Sequence, residues 1–174
     1  MKKILSFVML IVFTVLAVGC DPATYRFDVE VYGEQVEKIE LRYSELNGTP
    51  EIIEIADGAI PEFHLDETYL VETLDVNRNM DFCNELAIVR FHKIYECVNK
   101  PFGYILVLYL SNDNYIVLSC TRYGKRAYGI FAEFSADEEF IQLFGRFCEN
   151  RKYYILLAKY FNSYPYEIEN LWVP

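Results

Sequence analysis

Histidine and tryptophan are scarce in this chain: 174 residues hold two histidines and one tryptophan. Only His64 and His92 could serve as an imidazole base, and a base needs a nucleophile within reach. No GxSxG elbow supplies a serine. There is no CxxC pair, and neither histidine lies beside a close pair of cysteines. The spacing of a zinc site is therefore missing. Basic residues are also few, 16 Lys and Arg against 26 Asp and Glu, for a net charge of −10. Binding to nucleic acid requires clustered cations at phosphates, so that class is excluded. No internal repeat, low-complexity run or linker divides the chain.

What is present begins with the first twenty residues, MKKILSFVMLIVFTVLAVGC. Lys2 and Lys3 form a positive front. Ile4 to Val18 is apolar apart from Ser6 and Thr14, and is short for a membrane span of about 20 residues. A basic front, a short apolar run and small residues at the end read as a signal peptide. Leu16-Ala17-Val18-Gly19-Cys20 resembles the lipobox of bacterial lipoproteins, with Ala17 where that family usually has leucine. The resemblance implies a leader over residues 1–19, removed after Cys20 receives a diacylglycerol, followed by further acylation of the palmitate type. It places the remainder outside the cytoplasm, anchored to the cell membrane through lipidated Cys20. Residues 20–24 are then the attachment cysteine and a short tether. Extended, the tether spans at most about 14 Å, at roughly 3.5 Å per residue.

Residues 25–174 read as a single domain, long enough to bury a sizeable core. Its charge is uneven. Asp21 to Glu85 carries 17 acidic and 4 basic residues, whereas Leu86 to Pro174 carries 9 and 10. Anionic headgroups repel the first part more than the second. Cys83, Cys97, Cys120 and Cys148 allow three disulfide pairings in an exported protein, or act as small buried hydrophobes, which is the preferred reading.

The hydrophobic period predicts an α+β fold: an antiparallel β-meander with two packed helices and additional N-terminal strands. Alternation predicts strands over Tyr25–Tyr32 and Val36–Tyr43, with a short strand over Glu51–Ile55 and an extended Thr68–Leu74. Asp75 is placed to cap a helix over Val76–Ala87, with Met80, Phe82, Cys83, Leu86 and Ala87 as its apolar stripe. The meander is expected from five strands over Ile88–Tyr95, Gly103–Ser111, Tyr115–Thr121, Ala127–Phe134 and Glu139–Phe144, with Cys97–Pro101 a loop. Gly103–Ser111 is apolar on both faces, as a central covered strand requires. Tyr154, Leu157, Ala158 and Phe161 fall at helical spacing in Glu149–Phe161.

Candidate chemistry is sparse. Asp75-x-Asn77-x-Asn79-x-Asp81 resembles the start of a calcium-binding EF-hand loop. Met80 stands where that loop needs glycine, however, and Leu86 where it needs glutamate, so the stretch reads as a capping turn. No cofactor or metal is expected. Cys120, between Ser119 and Thr121, would be a nucleophile only with a cation or histidine beside it, and reads as packed. The basic hairpin of Arg122, Lys125 and Arg126 and the aromatic tail of Tyr164, Tyr166 and Trp172 are the candidate binding residues. The tail can also act as a strap over the core, and the basic residues as a solvated turn.

These features together predict a non-catalytic binding or accessory lipoprotein of the cell envelope, with a possible envelope protein as partner. The alternatives are an envelope hydrolase, with His92 or His64 meeting Cys120, Ser119 or a carboxylate, and a small-ligand carrier.

Overall fold

The computed structural model describes residues 24–45, 51–54, 61–92, 96–123, 126–147 and 151–165. The leader, Cys20, Tyr166, Trp172 and Cys148 lie outside these residues. The elements in chain order are β1 (Thr24–Tyr25), α1 (Val29–Tyr32), β2 (Val36–Ser44), β3 (Ile52–Glu54), β4 (Tyr69–Thr73), α2 (Asn79–Ile88), β5 (Phe91–His92) and β6 (Glu96–Val98). They continue with β7 (Gly103–Leu110), β8 (Tyr115–Tyr123), β9 (Arg126–Phe134), β10 (Phe140–Phe147) and α3 (Arg151–Tyr160).

Six strands form one antiparallel sheet in the order β10-β9-β8-β7-β2-β4. The fold is thus the α+β meander that the periodicity predicts, with N-terminal strands extending it. The short turn at Ser111–Asn114 sets the β7–β8 register, with Tyr109 opposite Tyr115. Asp113 there adopts φ 65°, a left-handed conformation that a short polar side chain tolerates. β7 is hydrogen-bonded on both edges and Ile105, Leu106, Val107 and Leu108 are fully buried, as expected for a strand apolar on both faces.

Alternate residues of the sheet feed two cores. Ile39, Leu41, Leu106, Leu108, Ile116, Leu118 and Phe131 face α2 and α3, where Phe82, Leu86, Tyr153, Leu157 and Phe161 meet them. Ile105, Val107, Tyr115, Val117, Ile130, Ala132 and Phe134 face the other way, and Phe63 seals them. The segment around Phe63 is a cover, held over the sheet by the ring contacts of Phe63 with Tyr115 and Phe134.

Several local expectations are corrected. Residues 25–32 do not form one strand. Asp28 accepts hydrogen bonds from the Glu30 and Val31 amides and starts the short helix α1, so a local cap overrides the alternation. Residues 88–92 of the expected strand Ile88–Tyr95 do not join the meander, and residues 93–95 lie outside the described residues. The helix runs through Ile88, and Phe91–His92 pairs with β1 instead. Four consecutive strands, rather than five, make the meander body. Cys97–Pro101 is not wholly loop, because Glu96–Val98 pairs with β3. Val76–Arg78 is a 3₁₀ turn capped by Asp75, and α2 follows it. Met80 points to solvent at 41% exposure, while Phe82, Cys83 and Leu86 form the buried stripe.

Candidate functional site

Among the described residues, the outer face of α2 and α3 carries two adjoining grooves. On α3, Arg151, Lys152, Ile155 and Lys159 are exposed, at the spacing of one helical face. The opposite face buries Tyr153, Tyr154, Leu156, Leu157 and Tyr160. A groove of about 420 Å³ runs between the helices, lined by Arg78, Asp81, Asn84, Glu85, Lys159 and Tyr160. A second groove of about 170 Å³ continues it, sharing Glu85 and Lys159 and ending on Ile88, Val89, Lys152 and Ile155. Ile88 is 66% exposed and Ile155 46%, a costly position for two large apolar side chains.

Electrostatics hold the middle of this face together. The Lys159 ammonium hydrogen-bonds Glu85 and lowers its carboxyl below the ordinary value, against a smaller opposing effect of burial. The Tyr160 hydroxyl donates to the same carboxylate at 2.8 Å. Burial, then Glu85, pushes the Tyr160 phenol up to about 12. The Arg78 guanidinium lies 4.6 Å from the Tyr160 ring centroid.

A second cluster lies on the other side of the sheet. Glu138 accepts the Leu65 amide at 2.8 Å and contacts His64 Nδ1 at 2.9 Å. Glu138 has φ 64°, a strained setting for a side chain of this size. The pair anchors the covering segment to the β9–β10 turn. His64 therefore meets a carboxylate, as the hydrolase alternative anticipates. Its nucleophile does not join it. Ser119 is fully buried in the second core, and its hydroxyl has no partner among the described residues. Tyr115, the strand neighbour of the Phe63 cover, is four residues from Ser119, about 13 Å along a strand.

Two buried carboxylates escape sequence reasoning. Glu40, 5% exposed, accepts Tyr109 Oη at 2.7 Å, Arg42 Nη1 at 2.7 Å and Lys38 Nζ at 3.0 Å. Burial raises its pKa, but the hydrogen bonds from Tyr109, Arg42 and Lys38 outweigh that and hold it below the ordinary value. Glu133, also 5% exposed, accepts Asn114 Nδ2 at 2.9 Å and Gln142 Nε2 at 2.6 Å, with Tyr32 Oη at 3.3 Å. The available signal for Glu40 was Lys38 and Arg42 at i±2 on its own strand face.

The remaining candidates are placed as follows. Tyr164 packs edge-on against Tyr104, with centroids 5.2 Å apart, and Tyr104 against Tyr43 at 5.1 Å. This end of the tail is a strap on the sheet, and Glu72 accepts the Asn162 and Ser163 amides beside it. Arg122 and Arg126 lie on the backbone of the β8–β9 hairpin, and Lys125 falls outside the described residues. Cys120 Sγ lies 2.9 Å from the Tyr154 hydroxyl. Cys83 is a buried free thiol whose pKa burial pushes up to about 12, so it is inert. Asp75 Oδ1 is engaged by the Asn77 amide at 2.9 Å, and Asn79 Nδ2 reaches the Glu37 carbonyl, in a capping arrangement. No helix among the described residues is long and apolar enough to cross a membrane. No protein-family model, curated protein or solved structure matches the chain.

Proposed function

We propose that this chain is a lipid-anchored protein of the bacterial cell envelope, held at the extracytoplasmic face of the membrane through Cys20. Its role is binding or assembly rather than catalysis. The observation that carries this reading is the leader itself: Lys2-Lys3, the apolar run, and Gly19-Cys20 at its end. Two or more acyl chains give stable anchoring, since each buried methylene contributes about 0.8 kcal/mol. The exposed surface is consistent with recognition. Tyr69 and Leu70, 61% and 54% exposed, stand on the edge strand β4, and Ile88 and Ile155 on the helical face.

The test is metabolic labelling with a palmitate analogue in the native host. Label is expected on the wild-type chain and absent from Cys20→Ala, which leaves the membrane fraction. Equal labelling and membrane retention of both forms would overturn the anchor. Crosslinking in intact cells should then recover an envelope protein with the wild-type chain, and recovery of none would count against the accessory role.

The His64–Glu138 contact favours a hydrolase as the second reading, because it supplies an oriented imidazole. His64→Ala would abolish an envelope hydrolytic activity under that reading and leave the accessory role intact. A small-ligand carrier would need an enclosed apolar cavity, and binding of a fluorescent apolar probe to the purified domain would test for one.

A further inference from the structure

A row of tyrosines crosses the helical side of the sheet at the end where β7 begins. Tyr104 of β7 stands on the same face as Leu106 and Leu108 and packs against that core. Tyr43 of β2 lies opposite Tyr104, with ring centroids 5.1 Å apart, and Tyr69 of β4 lies opposite Tyr43. Directly opposite residues share a face, so the three side chains form one band across three strands. Tyr164 packs edge-on over the Tyr104 end of that band. The other end is open: Tyr43 is 36% exposed and Tyr69 61%.

The chain that leaves α3 is delivered to this open end. Glu72 of β4 accepts the Asn162 and Ser163 amides at 3.2 and 2.7 Å. From there the Tyr164 side chain reaches inward to Tyr104, so the backbone stays on the β4 side of the row. Glu72 is three residues from Tyr69, about 10 Å along a strand. Ser163 to Tyr166 is also three residues, at most about 11 Å extended. Tyr166 is therefore within reach of Tyr43 and Tyr69.

The residues beyond Pro165 suit such a surface. Tyr166 and Ile168 alternate with Glu167 and Glu169, and Leu171, Trp172 and Val173 follow. Alternation gives an extended segment one apolar and one acidic side. Laid on the row, the apolar side meets the tyrosine rings and the glutamates meet water. Tyr164 to Trp172 spans up to about 28 Å extended, against about 10 Å for the two strand spacings from Tyr104 to Tyr69. The whole row lies within the span of this segment.

We infer that residues 166–172 fold back over the Tyr43–Tyr69 end of the row, extending the strap that Tyr164 begins. The contact removes the Trp172 indole and the two exposed tyrosine rings from water together. It withdraws the aromatic tail from the surfaces open to a partner. Leu70, opposite Arg42 on the other face of β4, stays uncovered. The Cys20 anchor plays no part in this contact.

Trp172 is the sole tryptophan, so its fluorescence reports the tail directly. The purified full chain, in phosphatidylcholine vesicles, is compared with a synthetic peptide of residues 164–174. Acrylamide should quench Trp172 in the chain several-fold less than in the peptide, and its emission should lie at shorter wavelength. Tyr43→Ala with Tyr69→Ala should bring both readings to those of the peptide. Tyr43→Phe with Tyr69→Phe should keep the wild-type readings, because the rings remain. Circular dichroism checks the fold of each variant. Wild-type quenching equal to that of the peptide would overturn the contact. Shielding that survives the alanine variant would also overturn it, by placing the tail on another surface such as the Arg122–Arg126 hairpin. In vesicles with brominated acyl chains, wild-type Trp172 should remain unquenched, and strong quenching would overturn the contact by putting the tail in the bilayer.

Discussion

At the scale of single residues, the molecule is defined by how it handles polar groups inside two apolar cores. Glu40 is the sharpest case. Its carboxylate is buried but satisfied three times, by Tyr109, Arg42 and Lys38. Glu40→Gln leaves the Arg42 guanidinium, itself mostly covered, without its charge partner. Unfolding by urea should show a loss of about 2–4 kcal/mol at neutral pH. The pH dependence has a definite sign. The folded-state pKa of Glu40 lies below the ordinary 4.5, so its contribution is present above that value and is lost as pH falls through the carboxylate range. Wild type should lose stability between about pH 5 and 2, and Glu40→Gln should lose less over that window. Ser119 is the opposite case, a fully buried hydroxyl with no partner among the described residues. Ser119→Ala should be neutral or raise the melting temperature by about 2–4 °C, as roughly 1 kcal/mol implies for a domain of this size. A large destabilisation would show that the hydroxyl is engaged. In thiol labelling of the native protein, Cys83 should react only after unfolding, because burial keeps its pKa near 12.

At the scale of elements, the covering segment is the part most exposed to a single change. Phe63 is its one fully inserted ring among the described residues, and Glu138 is its hydrogen-bond anchor. Phe63→Ala should cost about 3–5 kcal/mol by leaving a cavity against Tyr115 and Phe134. Glu138→Ala should instead raise hydrogen exchange at the Leu65 amide selectively, with the sheet amides unchanged. Equal protection of Leu65 in both proteins would mean that the Phe63 ring and the other hydrogen bonds of the segment, such as Glu62 N–H to the Asn99 carbonyl, hold the cover without Glu138. These elements differ in how far the sequence revealed them. β2, β7, β8 and β9 were legible because alternation or a two-sided apolar run leaves few other arrangements. The Asp75 cap was legible from its local chemistry. The cover was not: Pro61, Phe63 and Leu65 alternate with Glu62, His64 and Asp66 over too few residues to mark a strand, the segment joins none, and Phe63 gains its burial from a sheet built by distant residues. Alternation misled at Tyr25–Tyr32, where the Asp28 side chain satisfies two amides locally and turns the chain. For Ile88–Tyr95, the apolar run ended a helix before it began a strand, and composition does not mark that boundary.

At the scale of the whole molecule, the parts combine into a domain with two unlike sides. One side presents two helices with Lys152, Ile155 and Lys159 at the surface, near the point where the N-terminal segment pairs with β5. The other presents an acidic cover pinned at Glu138. The sequence already contained the charge asymmetry, but as a division along the chain rather than between two surfaces. Folding redistributes it, because acidic residues of the first half cover the second face while α3, late in the chain, carries the cations outward. The binding candidates fared unevenly for the same reason. Tyr164 is drawn into a stack with Tyr104 and Tyr43, whereas Ile88 and Ile155, which periodicity assigns no special role, stand exposed on the helical face. The proposed function adds a lipid anchor at Cys20, on the strength of the leader sequence. Mass spectrometry of the mature N-terminal peptide from host membranes tests that anchor most directly. The expected species is a chain beginning at Cys20 and bearing a diacylglycerol thioether. An unmodified Cys20, or a mature chain that begins beyond it, would contradict it.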